Sequence, residues 1–465
     1  MKSFFKSLAI VFASLAICSF NAECKKTIKI TCRAKGMELE LCKNAIDEWV
    51  KLHKNKYKVE IVTLPHASNE CFALYQQWLS AGSFDVDILQ MDVAWIGVFA
   101  EYLADLEELT KEKIDTSDYF EAIQGVMVQN GKVLAMPWYT DCGIIYYRTD
   151  LLRKYAKDVP ETLEELYETA KYIQDEERRD TDKKGKFYGF VFQAKAFEIL
   201  TCNFVEMVDA FGGSLFTDGK VTADSEKCVD ATMFMIDCFK NITSRSALNY
   251  SEEDARGMFQ SGNAVFMRNW PYAWSLLNAP STPVAGKVGV MAIPPSAKGG
   301  KASGVLGGWF LTVSKNSKNG EIAADLVRYL TSKEQQRKRA EYSYLPTFKS
   351  LYQDTLVLRF NPFFVQVYES LENAVARPSA VFGKAYPRAS TEIFNMINTI
   401  ISDNIESSPE DCRNNVVRLL NRLNKKLIAA LDNSKKVKEK KSTAAVMSSF
   451  VGDVWRSLKS LIGIL

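Results

Sequence analysis

The sequence predicts an α/β protein with at least two domains, and three observations lead to this fold class. Strand and helix patterns alternate near the start, with a half-buried strand at 26–34, an amphipathic helix at 38–51 and a second strand at 57–64. This order at short spacing is typical of parallel α/β units. The chain of 465 residues exceeds what one hydrophobic core usually supports. A composition of 47% apolar and 25% charged residues is that of a globular protein.

The charge balance and the metal-binding residue types argue against several functions. The formal net charge is only +3, whereas a nucleic-acid-binding protein would carry a markedly basic face with stacking aromatics. The only two histidines are His53 and His66, and no CxxC motif occurs, so no zinc site is predicted. The segment 180–185 resembles a calcium loop, but Lys184 occupies its fifth position and its twelfth is not a glutamate, which predicts a turn. We expect neither a metal nor a cofactor.

The first residues have the pattern of a secretory signal peptide. Two lysines precede an apolar run at 8–20, and small residues follow at Ser19 and Ala22, either of which is a plausible cleavage position. The run is too short to span a bilayer comfortably. A lipoprotein processing site is nearly matched around Cys18, but Ile17 stands where a small residue is needed. The sequence therefore predicts export to the periplasm, with a lipid anchor disfavoured.

The cysteines give no framework for the fold. Ten are present, and nine remain beyond Cys18. In an oxidising compartment some could pair, but the odd count leaves at least one unpaired and spacing does not give the connectivity. We expect most of them to be small buried apolar groups.

The first motif with chemical content is Met136-Pro137-Trp138-Tyr139-Thr140-Asp141, which an apolar β pattern follows through 142–149. Two aromatic rings and a carboxylate beside a proline predict a site-like loop that leads into a buried strand. Aromatic faces with one fixed acceptor suit a polyol. The alternative is that Trp138 and Tyr139 are core aromatics and that Asp141 is a turn residue.

Two further stretches place aromatic residues beside glycine or proline. They are Asn269-Trp270-Pro271-Tyr272-Ala273-Trp274 and Leu306-Gly307-Gly308-Trp309-Phe310. Backbone bends and exposed N–H groups cost least at such positions. With 136–149, these stretches resemble the extracellular solute-binding proteins of sugar-importing ABC transporters, in particular the trehalose/maltose-binding type. The resemblance extends from about Lys26 to about Leu431.

This resemblance implies a two-lobed periplasmic-binding-protein fold of class II type, with a ligand cleft between lobes that are joined by hinge crossings. The segments would be a signal peptide at 1–22, an N-terminal lobe of 23–139 plus 309–345, a C-terminal lobe of 140–308 plus 346–431, and a basic linker with an amphipathic helix at 432–465. The pattern from 280 to 308 is rich in Pro, Gly, Ser and Ala, so we expect it to be dominated by loops.

Three charged residues illustrate how ligand-binding and structural interpretations compete. Asp92 follows a predicted strand at 86–91, so it could face a ligand or cap the next helix. Glu38 stands at the first strand-to-helix turn, where it could bind a ligand or interact with the helix dipole. Arg377 precedes a proline, and it could offer fixed donors to sugar oxygens or be a solvated helix-end residue.

The resemblance implies a ligand site made of Glu38, Ser68, Asp92, Tyr139, Asp141, Trp270, Tyr272, Gly307, Gly308, Trp309 and Arg377. Indole and phenol rings would stack on the apolar faces of a sugar while charged groups bind its hydroxyls. The sequence departs from the family pattern at 68–71, where related sugar binders place an arginine near Cys71. A donor would then be missing, and the preferred sugar would differ.

The resulting functional prediction is a monomeric, non-enzymatic substrate-binding component of an ABC importer. It would capture a trehalose- or maltose-like disaccharide and deliver it to the membrane permease subunits. The alternatives are an exported glycoside hydrolase that uses Asp92 and Asp141, a binder of another polyol such as glycerol 3-phosphate, and a surface adhesin.

The C-terminal tail differs in composition from the rest of the chain. A basic linker at 435–441 precedes 446–465, where apolar residues follow one helical stripe. Such a stripe could contact a membrane surface, bind a partner or dock on the protein itself. The family resemblance ends before this tail and implies nothing about it.

Overall fold

The structure is a computed structural model that describes residues 25–33, 37–65, 68–83, 85–302 and 304–432. Two β-sheets, of five and four strands, form its framework, and helices pack around both. The predicted signal peptide at 1–22 and the amphipathic pattern at 446–465 lie outside the described residues. Within the described ranges, no helix combines the length and apolarity needed to cross a membrane.

Thirteen strands are defined within these ranges. They are β1 Lys26–Arg33, β2 Tyr57–Leu64, β3 Ile88–Asp92, β4 Val128–Gln129, β5 Lys132–Val133, β6 Met136–Cys142, β7 Ile144–Arg148, β8 Tyr188–Val191, β9 Phe216–Thr217, β10 Lys220–Val221, β11 Ala264–Asn269, β12 Val288–Ala292 and β13 Leu306–Val313. The five-stranded sheet has the order β2-β1-β3-β13-β6, and the four-stranded sheet has the order β12-β7-β11-β8. Two short hairpins, β4–β5 and β9–β10, complete the set.

The α-helices are α1 Glu38–Leu52, α2 Ser68–Ser80, α3 Ile96–Phe99, α4 Leu106–Thr110, α5 Glu121–Met127, α6 Thr149–Lys154, α7 Leu163–Glu177, α8 Glu198–Ala210, α9 Glu226–Asn241, α10 Glu252–Gln260, α11 Ala273–Leu277, α12 Gly320–Leu330, α13 Lys333–Ala340, α14 Thr355–Phe360, α15 Phe364–Glu372, α16 Ser379–Phe382 and α17 Tyr386–Asn404. A further helical segment occupies 409–432. Short 3-10 turns lie at Ala100–Tyr102, Arg245–Asn249, Lys349–Gln353 and Gly383–Ala385.

The predicted strand, helix, strand order at the start is confirmed. β1 pairs in parallel with β2 over its whole length and with β3 at Ile30. Because the carboxyl ends of parallel strands meet at one edge of a sheet, the last residues of β1 and β3, Arg33 and Asp92, lie at the same edge. β13 runs antiparallel to β3 and places Trp309 opposite Asp92 at this edge.

The chain passes between the two sheets through short, closely packed segments. β6 belongs to the five-stranded sheet and β7 to the four-stranded sheet, and only Gly143 separates them. The chain returns through Gly304 and Val305 to β13, and a Cβ atom on Gly304 would overlap the carbonyl oxygen of Gly143. The lobe boundaries expected at 139/140 and 308/309 thus fall inside β6 and β13. The position at which one lobe ends and the other begins stays a prediction.

Several local expectations need correction. The segment 136–141 is not a loop, because it lies within β6. The segment 280–308 contains β12, which pairs with β7 along five positions, and the start of β13. Pro and Gly residues flank the short apolar run of β12, so the sequence pattern does not single it out as a strand. Pairing with β7 forms the strand nonetheless.

Hydroxyl side chains cap two of the helices. The Thr162 hydroxyl accepts from the N–H of Glu165 at the start of α7, at 3.1 Å. Ser332 caps α13, whereas the hydroxyl of the preceding Thr331 donates to the carbonyl of Val327 at 2.8 Å.

The eight cysteines within the described ranges are all free and buried. The expectation that most cysteines act as small apolar groups is therefore confirmed for this part of the chain. The calcium-like segment 180–185 forms the predicted turn before β8.

Candidate ligand-binding site

A cavity lies where the carboxyl-end edge of the five-stranded sheet meets the segments that follow β11 and α15. About 690 Å³ of space there is not filled by protein atoms, including space open to solvent. All eleven residues expected at the site contribute to its lining, namely Glu38, Ser68, Asp92, Tyr139, Asp141, Trp270, Tyr272, Gly307, Gly308, Trp309 and Arg377.

Seven further lining residues were not anticipated from the sequence. They are Arg33, Phe197, Glu198, Ile199, Cys202, Glu252 and Tyr344. Arg33 ends β1, so the strand-end rule that singles out Asp92 could have found it. Four of the others, at 197–202, lie around the first turn of α8, for which the sequence carries no site-like motif.

The alternation of β6 separates core residues from cavity residues. Tyr139 and Asp141 line the cavity, whereas Trp138 is a core residue only 1% exposed. Successive side chains of a strand point to opposite faces, so this division follows from the strand itself. The core-aromatic interpretation is correct for Trp138.

Trp309 is held on one side by a guanidinium group. The central carbon of Arg33 lies 4.2 Å from the centroid of the Trp309 ring, and Trp95 contacts the same indole edge-on at 5.4 Å. A guanidinium over an indole face is a favourable cation–π arrangement. The strand register therefore brings a cation and an aromatic ring together at the cavity wall.

Glu38 is the first residue of α1 and is fixed by neighbouring donors. It is buried, and its Oε1 accepts from the hydroxyl of Tyr139 at 3.1 Å and from Nε2 of Gln90. Its charge also acts on Arg33. Burial lowers the pKa of that guanidinium, but Glu38 together with Tyr139, Cys71 and Glu252 outweighs this effect, so the net pKa is raised. Glu38 thus lies between an arginine and a phenol at the start of a helix, where negative charge is favoured.

Two adjacent glycines allow the backbone to approach the cavity. Gly308 has a φ of +123°, and a Cβ atom there would lie 2.6 Å from the carbonyl oxygen of Tyr139. A Cβ atom on Gly307 would lie 3.0 Å from the Trp270 ring. A side chain at 308 would be strained in φ and would collide with backbone, so this position requires glycine.

The turn after β11 forms another part of the cavity wall. The hydroxyl of Tyr146 donates to the carbonyls of Trp270 at 2.9 Å and Pro271 at 3.0 Å. The Trp270 N–H donates to Oδ1 of Asn269 at 2.8 Å, and the Tyr272 hydroxyl donates to Glu253 at 2.5 Å. Side-chain hydrogen bonds therefore hold a proline-containing turn that presents two rings to the cavity.

Arg377 joins two carboxylates in the cavity wall. Its Nη2 donates to Oδ1 of Asp92 at 2.5 Å, and its Nη1 donates to Oε1 of Glu198 at 2.8 Å. Arg377 is only 5% exposed, so it is not a solvated helix-end residue. Burial would lower its pKa, but the nearby carboxylates raise it well above the ordinary value.

Asp92 lies in the cavity wall and does not cap the next helix, because the residue at the N-cap of α3 is Trp95. Its Oδ1 accepts from the N–H of Ala94 at 2.8 Å within a local turn, and also from Arg377. The same side chain lines the cavity. A local turn contact and a cavity position are compatible here because a carboxylate has several acceptor sites.

Comparison with known proteins places this geometry in a family. Residues 46–358 match the family described as bacterial extracellular solute-binding protein. The chain belongs to this family. It is 39% identical to a probable ABC transporter-binding protein of Deinococcus radiodurans, over 88% of this chain and 96% of the relative.

Solved structures agree with this membership. The solute-binding protein resembles maltose-bound MalE3 of T. maritima with a TM-score of 0.76 and 36% identity, covering 85% of this chain and 99% of that one. It also resembles an ABC transporter solute-binding protein of Thermotoga lettingae bound with α-D-tagatose, with a TM-score of 0.71, 26% identity and coverage of 85% and 100%. The expected two-lobed periplasmic-binding-protein fold is thereby confirmed.

The residues that line the cavity can recognise a ligand through non-covalent contacts. Their rings offer apolar faces, their carboxylates accept hydrogen bonds and their guanidinium groups donate them. Within the described residues, no cluster of three or more His, Cys, Asp or Glu side chains could hold a metal ion. The lining residues can thus contact both the apolar faces and the hydroxyl groups of a polyol.

Proposed function

We propose that this solute-binding protein captures a maltose- or trehalose-like disaccharide and delivers it to the permease subunits of an ABC importer. The observation that carries the proposal is the cavity in which Trp270, Tyr272 and Trp309 share one lining with Glu38, Asp92 and Asp141. Sugars combine apolar ring faces with directional hydroxyls, and this lining offers partners for both.

Arg33 supports a disaccharide ligand in spite of the departure at 68–71. Its guanidinium lies in the cavity wall, stacked on Trp309. A guanidinium presents five N–H donors in a fixed geometry. Arg33, at the end of β1, thus provides the cavity wall with the hydrogen-bond donors that an arginine near Cys71 would otherwise provide.

The relatives favour the same substrate class. The T. maritima protein is described as maltose-bound and the Thermotoga lettingae protein as bound with α-D-tagatose. The relative from Deinococcus radiodurans is described as a probable ABC transporter-binding protein. These descriptions, together with the family, support a carbohydrate and an importer as ligand and partner.

Lobe closure would complete the site. In the proposed division, 23–139 plus 309–345 form one lobe and 140–308 plus 346–431 form the other, so that Trp309 and Trp270 face the ligand from different lobes. A ligand shifts the balance between open and closed forms only by its difference in affinity for the two. A micromolar dissociation constant, worth roughly −8 kcal/mol, suits capture followed by release.

A thermal-shift series with maltose, trehalose, sucrose and glycerol 3-phosphate tests the proposal. We expect maltose or trehalose to raise the unfolding temperature most, and the recovered sugar to be chemically unchanged. A shift with glycerol 3-phosphate alone would reject the disaccharide, and the appearance of new reducing ends from trehalose would favour the glycoside hydrolase instead.

A further inference from the structure

A buried ion pair lies behind Trp270 and does not line the cavity. Arg268 is in β11 and Glu206 is in α8, and each is 1% exposed. Arg268 Nε donates to Glu206 Oε2 at 2.9 Å, and Arg268 Nη2 donates to Oε1. The pair is therefore bidentate, which fixes both the distance and the plane of the guanidinium.

The same pair contacts both segments that pass between the sheets. The N–H of Val305 donates to Glu206 Oε1 at 3.1 Å. A Cβ atom on Gly143 would overlap the Glu206 carboxylate and the Arg268 guanidinium. Both crossing segments thus pack directly on the ion pair. Val305 contacts it through a hydrogen bond, and Gly143 can approach it closely because glycine has no side chain.

Arg268 also covers one face of the indole that lines the cavity. Its guanidinium carbon lies 4.1 Å from the centroid of the Trp270 ring. A guanidinium stacked on tryptophan restrains the ring. The backbone of Arg268 is fixed as well, since its carbonyl accepts from Gln193 Nε2 at 2.9 Å.

We propose that Glu206 and Arg268 are positioning residues that hold Trp270 in its ligand-facing orientation and lock the two crossing segments at a fixed separation. The proposal rests on the proposed sugar-binding function for its effect on affinity. The pair acts through Trp270, Gly143 and Val305, and it contributes no atom to the cavity lining.

Two single variants separate the parts of the pair. Glu206→Gln keeps the shape but removes the charge, and Arg268→Lys keeps the charge but removes the planar, stacked group. Glu177→Gln is the matched control, because Glu177 is also buried and paired with a cation, Lys154, but does not line the cavity. If a single variant fails to fold, Glu206→Gln combined with Arg268→Met removes both charges together and replaces the pair with neutral groups.

The first measurement needs no ligand. The emission spectrum of each protein minus that of its Trp270→Phe derivative isolates the contribution of Trp270. We expect this difference spectrum to move to longer wavelength in the Glu206 and Arg268 variants and to stay unchanged in the Glu177 control. An unchanged spectrum in a folded Glu206 or Arg268 variant would overturn the positioning role.

The second measurement is the dissociation rate of maltose by stopped-flow fluorescence. We expect a rise of at least about tenfold in both pair variants and wild-type rates in the control. Equal rates in folded pair variants would contradict the inference. If the unaltered protein binds none of the sugars tested, the proposed function fails, and the difference spectrum alone then decides the positioning role.

Discussion

Arg377 and Asp92 form an ion pair in the wall of the cavity, with 2.5 Å between Nη2 and Oδ1. Asp92 ends β3 of the five-stranded sheet, whereas Arg377 follows α15 and also pairs with Glu198 at the start of α8. Tyr386 and Ser390 donate further hydrogen bonds to Glu198. The sheet edge, α8 and α17 are thus linked by one buried charged network whose members depend on one another.

Removing the cation of this network should be costly. Arg377→Met would leave the carboxylates of Asp92 and Glu198 without their shared counter-charge in a largely buried site. Breaking a buried pair by deleting one partner typically destabilises a protein by about 3 to 5 kcal/mol. Chemical denaturation monitored by circular dichroism measures this difference in the free energy of unfolding.

An exposed pair in the same region provides the control. Lys384 pairs with Glu101 at the surface, and exposed pairs usually contribute less than about 1 kcal/mol. Lys384→Met should therefore change the free energy of unfolding only slightly. Equal losses in the free energy of unfolding for the two variants would show that burial does not make the Arg377 network more stabilising than an exposed pair.

Replacing the ring after β11 should weaken sugar binding. Trp270→Ala is expected to reduce affinity by about 1 to 3 kcal/mol, because a large aromatic contact is lost. Trp274→Ala is the matched control, since Trp274 packs on Phe363 and does not line the cavity. Calorimetry on the folded variants measures both affinities for the sugar. Equal affinities would show that Trp270 does not contribute to sugar binding.

Two glycine substitutions should have opposite signs. Gly308→Ala should destabilise the protein by at least about 1 kcal/mol, because the φ of +123° and the contact with Tyr139 exclude a side chain. Gly257→Ala should stabilise it by about 0.5 to 1 kcal/mol, since this residue lies within α10 and a Cβ atom there meets no neighbour within 4 Å. Thermal unfolding of both variants tests the pair, and a stabilising Gly308→Ala would be inconsistent with the observed backbone.

Acid stability should depend on a buried carboxylate away from the cavity. Burial raises the pKa of Glu177, but hydrogen bonds from Lys154, Lys183 and Tyr155 outweigh it and lower the pKa to about 2. An unfolded glutamate titrates near about 4.3. Since the folded pKa is depressed, the stabilisation is present above about pH 4.3 and is lost as the pH falls toward 2.

The corresponding measurement compares wild type with Glu177→Gln by urea denaturation from pH 6 to pH 2.5. We expect the difference in the free energy of unfolding between the two proteins to shrink as the pH falls through this window. A difference that stays constant across the series would mean that Glu177 does not titrate as the structure indicates.

The sequence could predict those parts of the site that follow from local patterns. Asp92 ends β3, Trp309 follows two glycines within β13, and Trp270 stands in a proline turn after an apolar run. Strand periodicity and turn chemistry therefore point to each of them. All three line the cavity. The family resemblance favoured a ligand-binding role for Glu38, Asp92 and Arg377, for which local patterns left two interpretations open.

Residues that reach the site through tertiary packing could not be predicted. Glu198 begins α8 and resembles any first-turn acid, yet Arg377, 179 positions later, gives it a role. Glu206 and Arg268 are likewise ordinary in sequence, and only the folded chain brings these side chains, 62 positions apart, into contact. The β12 strand was missed for the same reason, since pairing with β7 rather than intrinsic propensity forms it.

A calorimetric titration of the purified protein with maltose tests the central claim most directly. The account predicts one binding site per chain, a dissociation constant in the micromolar range and recovery of the maltose intact after release. The absence of a binding isotherm at millimolar maltose and trehalose, or the recovery of glucose in place of maltose, would contradict it.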